Sequence, residues 1–312
     1  MRGRADWCLA LFGTPRVPNL PVALTEDGVE VVQSTNIGGH AEMMITLEEW
    51  CAPFVSDLPA HELSLLSCVA GTGLGTTMTL APITPGANVA IFGLGPIGLS
   101  AVQGAKMLGA TQIIGIEPIR ARRELALQFG ATTVLDPNEF VAEPTASSAP
   151  FFADPLVTRI RELCAGNSES FFSGQPPVSG QSSGADFVIE AVGGDRFVPR
   201  VEAGPDPTGI LPLHQAWEVC APGSHLVTTS IGHNQNIEFS GTQWALFGRT
   251  HHPSQFGGTH LKRDIPRYVR LIEQGHFDAA SLATATFPLE QTNLAFEAAM
   301  YRTTVNAILV ME

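Results

Sequence analysis

Apolar positions in this chain come in short continuous runs separated by stretches of helical periodicity. Asn88–Phe92 is such a run, of the kind that fills a strand buried on both faces. Pro96–Leu108 follows with helical spacing, and Gln112–Ile116 is a second apolar run. Ala121–Phe129 is a second helix, closed by Gly130 in the usual C-terminal position, and Thr133–Leu135 a third strand. Strand, helix, strand, helix, strand predicts a parallel sheet with helices on both faces, an α/β fold. Asp186–Ile189 resumes the sheet as a fourth strand and Leu213–Cys220 is helical. Ser224–Ser230 is a fifth strand and Trp244–Phe247 an apolar run in position for a sixth. Helices over Arg263–Gln274 and Gln291–Tyr301 and a final strand over Asn306–Met311 complete the pattern.

The flanking stretches read differently. Residues 1–60 are loop and short strands, with Val29–Gln33 a strand and Gly38–Ile45 a turn entering another; these are too few for a separate all-β domain. Residues 61–80 are helical with a glycine-rich break at Gly71–Gly75. Glu143–Pro150 and Asn167–Gly184, rich in Ser, Pro and Gly, are surface loops around a helix over Pro155–Cys164. Asp195–Pro212 is a further Gly/Pro-rich excursion, and no internal repeat is visible.

Composition narrows the function classes. Of 312 residues, 44% are hydrophobic and 15% charged, which supports a folded core and argues against disorder. Thirty acidic against seventeen basic residues give a net charge of −13, so neither nucleic acid nor an anionic membrane is an expected partner. The most apolar stretch, Val89–Ala110, carries Gln103, Lys106 and several glycines and is not a membrane span. Met1–Gly13 imitates a signal peptide superficially, but Asp6 interrupts it and no small-residue cleavage site follows. Five widely spaced cysteines make no disulfide framework and suit a cytoplasmic location.

Phe92-Gly93-Leu94-Gly95-Pro96-Ile97-Gly98 is a G-x-G-x-x-G string standing between a strand and a helix. Gly93 permits the tight turn, Gly95 lets backbone approach a diphosphate, and Gly98 allows helix to pack on sheet. The helix N-terminus offers free N–H groups and the positive end of its dipole, and Pro96 suits a first turn where no N–H is needed. Glu117, at the end of the second strand, is placed to accept bonds from ribose hydroxyls and to repel a 2′-phosphate, which favours NAD over NADP. Arg120, Arg122 and Arg123 pull the other way, since a guanidinium there pairs with a 2′-phosphate.

Leu65–Gly75, Val89–Gly98 and Ile113–Glu117, with Lys262–Pro266, Phe287–Glu290 and Ala295-Phe296, together resemble the zinc-containing medium-chain dehydrogenases, nearest the class III and aryl-alcohol branch. The resemblance runs over almost the whole chain and is weakest in 143–184 and 195–212. It implies a doubly wound Rossmann sheet (residues 61–260), a remnant of a GroES-like β domain (1–60) and a C-terminal return to the catalytic domain (261–312). It implies hydride transfer between NAD and a small-molecule alcohol or aldehyde, in a homodimer or homotetramer. By the same resemblance Cys68 matches a catalytic-zinc ligand, and Cys8 the fourth cysteine of a structural-zinc lobe. Thr72 packs on the nicotinamide and Ile97 lies behind it. Arg122 stands beside the adenosine ribose, Val192 and Gly193 face the adenine side, and Ile231, Gly232 and Phe256 the nicotinamide end. Asn306 stands where relatives often carry a diphosphate-binding arginine, with Arg302 nearby.

The remaining zinc ligands of such enzymes precede the matched region, so the resemblance also implies an N-terminally truncated chain that does not retain zinc and is inactive as it stands. Cys51, His61 and Cys68 match no compact zinc motif; Cys51, Cys164 and Cys220 read as small buried hydrophobes and Met43-Met44 as core. Adjacent side chains diverge, so His251-His252 reads as a solvated loop, and His40 and His233 lack partners. A zinc-independent, quinone-reductase-like enzyme and a non-catalytic dinucleotide-binding module stay open as alternatives. Trp244–Phe247 is the expected edge for subunit pairing.

Overall fold

The computed structural model describes residues 21–32, 39–44, 46, 48–141, 154–165, 184–230 and 236–311. Cys8, Ile231, Gly232 and His233 lie outside the described residues. An antiparallel pair, β1 (Pro21–Leu24) and β2 (Glu30–Val32), comes first, then the short helix α1 (Ala60–Leu63) and α2 (Val69–Gly75). The main sheet and its helices follow: β3 (Asn88–Phe92), α3 (Pro96–Met107), β4 (Gln112–Ile116), α4 (Arg120–Phe129) and β5 (Thr133–Leu135). After α5 (Pro155–Ala165) come β6 (Ala185–Glu190), α6 (Ile210–Val219), β7 (Cys220–Thr228), α7 (Gly241–Leu246) and β8 (Thr250–Pro253). Helix α8 (Leu261–Glu273), β9 (Ala285–Pro288), α9 (Thr292–Met300) and β10 (Ala307–Val310) end the chain.

Strands β3 to β8 form one parallel sheet in the order β5-β4-β3-β6-β7-β8, the expected doubly wound arrangement. Alternation sends Val89, Ile91, Ile113 and Ile189 to one buried layer, under α2, α3 and α8, and Ala90, Phe92, Ile114 and Val188 to the other, under α5 and α6. Every strand of the centre is therefore apolar on both faces, which is why the runs in the sequence are continuous. Helix α8 buries Ile265, Tyr268, Val269 and Ile272, the i, i+3, i+4, i+7 stripe of a one-faced helix. No single helix among the described residues is long and apolar enough to cross a membrane.

Four expectations are corrected. Gly71–Gly75 does not break its helix. The chain departs from helical geometry at Cys68 (φ −133°, ψ −80°) and runs on through the glycines. They are there for close approach: a Cβ on Gly73 would stand 2.5 Å from the Ile97 carbonyl oxygen of α3, and one on Gly75 2.4 Å from Thr259 Oγ1. Trp244–Phe247 is not a strand, because Ser240 accepts from Gln243 N–H and starts α7 over it; Trp244 stacks on Trp217 with ring centroids 5.4 Å apart. The sixth strand is β8, and His251-His252 lies in it rather than in a loop. The two rings do diverge, His252 Nε2 meeting His225 Nδ1 at 3.0 Å and His251 Nε2 meeting Thr228 Oγ1 at 2.9 Å. Finally, Met43, Met44 and Cys51 are exposed rather than core; Cys164 and Cys220 are buried as expected.

Candidate functional site

The register of the parallel strands aligns their carboxyl ends. Phe92 pairs with Ile116 on one side and Glu190 on the other, so Gly93, Glu117 and Ala191 leave the sheet together. Between β3 and β6 the connections diverge to opposite sides, and a crevice at that divergence is where open α/β sheets bind ligands. The chain has a cleft of about 430 Å³ there, lined by Gly93, Gly95, Pro96, Glu117, Arg122 and Val192 among others.

Each glycine of the corner has a physical task. Gly93 has a left-handed φ of 85°, and its N–H donates to the Ile116 carbonyl (2.8 Å). Gly98 lies so close beneath the turn that a Cβ would stand 1.9 Å from the Gly93 oxygen. Gly95 is the N-cap of α3 with ordinary extended geometry and no side-chain cap; a Cβ there would meet only Arg122 Nη1, at 3.9 Å. The corner thus presents bare backbone and an uncapped helix N-terminus to the cleft. Leu94 contributes no side chain to it, being fully buried against Gly115.

Glu117 is neither solvated nor idle. It is buried, Oε2 accepting from Leu94 N–H (2.8 Å) and Oε1 from Ile119 N–H (3.1 Å), so it braces the glycine corner against the start of α4. A carboxylate has capacity for about four bonds, which leaves room for ribose hydroxyls. The three arginines separate. Arg120 pairs with Glu124 at the surface, and Arg123 is tied to the Glu117 and Pro118 carbonyls and to Asp136. Arg122 lines the cleft and donates to the Thr304 carbonyl (3.3 Å).

The expected nicotinamide-end residues lie where α2 meets α3 and the turn after β8. Thr72 is buried on α2, its N–H accepted by the Cys68 carbonyl (2.8 Å). Gly257 (φ 65°) packs so closely on this helix that a Cβ would stand 2.3 Å from the Thr72 oxygen; this holds Phe256, itself left-handed at φ 50°, beside it. The Ile97 carbonyl approaches the same helix at Gly73. The backbones of Thr72, Ile97 and Gly257 thus meet near one junction, with Cys68 one turn back at the start of α2, but Cys68, Thr72, Ile97 and Phe256 do not line the 430 Å³ cleft. Gly193 (φ 63°) sits behind the first cleft, where a Cβ on Gly209 would come within 2.4 Å of its oxygen.

Among the described residues no three His, Cys, Asp or Glu side chains converge, so these residues do not complete a zinc site. The Cys68 side chain is exposed, yet desolvation by surrounding protein pushes its thiol up, away from the thiolate a metal prefers. Burial pushes Cys164 and Cys220 up to about 12. Of the four described cysteines, Cys51 and Cys68 are expected to be alkylated in the native protein, the Cys68 rate still climbing above pH 9, and Cys164 and Cys220 only after unfolding. Peptide mass spectrometry after iodoacetamide treatment checks this.

A feature the sequence did not flag lies beside the cleft. Glu190 is fully buried at the end of β6, accepting from Val192 N–H (2.8 Å) and Ser230 Oγ (2.5 Å). Burial pushes its carboxyl up, outweighing those bonds. The folded state thus holds the proton more tightly than the unfolded chain. Stability falls as pH rises from the ordinary value near 4.5 through the raised folded value, and is then flat. Glu190→Gln is expected to raise the melting temperature at pH 8, with the advantage shrinking toward pH 4.5; calorimetric scans across pH check it.

The fold and crevice define a doubly wound α/β protein of the dinucleotide-fold class. Comparison with known proteins carries this to a family. The profile of the zinc-binding dehydrogenases matches residues 96–274, and the chain belongs to that family. Alcohol dehydrogenase 1 of Solanum tuberosum is 27% identical over 255 residues, 81% of this chain and 56% of the potato enzyme. S-(hydroxymethyl)glutathione dehydrogenase of Haemophilus influenzae is 25% identical over 298 residues, 95% of this chain and 68% of that protein. Among solved structures, benzyl alcohol dehydrogenase from Acinetobacter calcoaceticus superposes with a TM-score of 0.64 at 23% identity, covering 83% of this chain and 59% of that one. An alcohol dehydrogenase zinc-binding domain protein from Burkholderia ambifaria gives 0.63 at 25%, covering 83% and 57%. The chain thus spans little more than half the length of several relatives it matches.

Proposed function

We propose that this chain is the dinucleotide-binding part of an alcohol oxidoreductase that passes a hydride between NAD and a small alcohol or aldehyde. The observation that carries this is the bare glycine corner opening, with Glu117 and Arg122, on a cleft at the topological switch of a parallel sheet. When bound, the nicotinamide supplies the hydride acceptor or donor. The chain's own residues do the rest. The backbone of Gly93–Gly98 and the α3 N-terminus receive the diphosphate, Glu117 the adenosine ribose, and Val192 and Gly193 the adenine side. Thr72, Ile97 and Phe256 form the apolar seat that orients the nicotinamide, and Cys68 borders the reacting end.

Residues 61–260 are read as the dinucleotide domain, with 1–60 a GroES-like remnant and 261–312 the return to the catalytic half. The same reading places the protein in the cytoplasm as a homo-oligomer. The pairing edge is moved from Trp244–Phe247 to β8, which bonds only to β7 among the described strands.

Calorimetric titration with NAD and NADP, followed by an alcohol-dependent reduction assay with and without added zinc, tests the proposal. NAD is expected to bind the tighter of the two. Binding with no turnover under either condition would favour a non-catalytic dinucleotide module, and binding of neither cofactor would overturn the reading.

A further inference from the structure

Helix α6 stands between two hollows. Its Pro212 and Gln215 line the cleft at the glycine corner, whereas Ile210, Leu213 and Trp217 line a second cavity of about 300 Å³. That cavity lies between α6, α7 and the ends of β6 and β7, and it shares no described lining residue with the cleft. Strand alternation builds its floor. Leu226 and Thr228 of β7 face α6 two residues apart, and the parallel register sets His251 of β8 beside Leu226.

One wall is aromatic. Trp217, buried on α6, packs on Phe239 with ring centroids 4.9 Å apart and stacks on Trp244 of α7 at 5.4 Å. Phe239 and Trp244 are themselves within 23° of parallel, and Trp244 is 62% exposed. The Trp217 indole N–H is taken by Gln243 (3.2 Å), so this residue offers a ring face rather than a donor. The floor is polar but carries no open charge. His251 Nε2 meets Thr228 Oγ1 (2.9 Å), and desolvation by surrounding protein holds the imidazole below its ordinary pKa, hence neutral at neutral pH. Glu190 is the one carboxylate among the described lining residues. It is fully buried, its oxygens engaged by Val192 N–H and Ser230 Oγ. No Lys or Arg is among those residues. An ion entering here would give up water for no counter-charge. A flat ring meets aromatic faces, and a neutral polar group meets a hydroxyl and an imidazole.

We propose that this cavity is a second ligand site, separate from the dinucleotide cleft, for a small uncharged aromatic molecule that carries a hydrogen-bonding group. The ring lies against Phe239 and Trp244, and the polar group bonds the Thr228–His251 pair at the Thr228 hydroxyl. The site stands whether or not the cleft at the glycine corner takes a dinucleotide.

Ligand-observed fluorine NMR on the full chain, with 4-fluorobenzamide as the probe, is the test. The wild type is expected to bind it with a Kd on the order of 0.1–1 mM, and added ADP-ribose should not displace it. Trp244→Ala removes an exposed ring and should weaken binding about 3- to 10-fold. Thr228→Val keeps the shape of the side chain, removes the hydroxyl and should cost about as much. The charged analogues 4-fluorobenzoate and 4-fluorobenzylamine should bind about 10-fold more weakly or worse. No binding of the amide by the wild type overturns the proposal. Displacement by ADP-ribose would put the amide in the dinucleotide cleft, and tighter binding of either charged analogue would make the cavity an ion site. Unaltered binding in Trp244→Ala or in Thr228→Val would leave an adventitious additive only. Each of these three results also overturns it.

Discussion

Gly95→Val is expected to fold with a melting temperature within a few degrees of the wild type and to lose about 100-fold or more in NAD affinity. Gly98→Ala, a smaller change three residues on, is expected to cost about 2–4 kcal/mol and roughly 5–15 °C in melting temperature. The difference follows from what each added carbon meets. At Gly95 the backbone is extended, so no strain is imposed, and the side chain points into open space bounded by Arg122, where the diphosphate is proposed to lie. At Gly98 the Cβ would overlap the Gly93 carbonyl oxygen at 1.9 Å, backbone against backbone, and α3 must lift off the sheet. Thermal scans and NAD titrations of the two variants check both halves. Equal effects of both on stability would show that the corner is held by something other than these contacts.

Glu117→Ala has the second largest expected effect. Leu94 and Ile119 N–H would be left buried without their acceptor, at about 1–3 kcal/mol for each orphaned donor. A fall in melting temperature of roughly 8–15 °C should accompany weaker NAD binding. Because the carboxylate braces the corner and is proposed to receive the ribose as well, Glu117→Gln separates the roles. It keeps one of the two oxygen acceptors and so about half of the bracing, while losing the charge that disfavours a 2′-phosphate. The NAD to NADP affinity ratio is expected to fall in Glu117→Gln; an unchanged ratio would confine Glu117 to bracing.

The sheet was legible in the sequence because its strands are buried on both faces. Asn88–Phe92, Gln112–Ile116 and Thr133–Leu135 have the expected bounds, and the glycine string lies on the corner its order suggested. Glycine itself was ambiguous. Gly71–Gly75 reads as a break by propensity, yet serves close packing of α2 on α3 and on the 257–259 turn, which only tertiary contacts reveal. Trp244–Phe247 misled for a related reason: four apolar residues fit a strand or a turn of helix equally, and the Ser240 cap decided it. At the site, the Leu94 side chain proved to be core, packed against Gly115. The Asp195–Arg302 ion pair joins residues about a hundred positions apart through an irregular excursion, and no periodicity announces such a contact. Glu190 drew no reading from the sequence, since burial of a carboxylate leaves no mark on local sequence.

The most direct measurement is a crystal structure of the chain with NAD bound. The account predicts the diphosphate against Gly95 and the first turn of α3, the adenosine ribose at Glu117, and the nicotinamide between Thr72, Ile97 and Phe256. Density for the dinucleotide elsewhere, or with its diphosphate away from that turn, would contradict it.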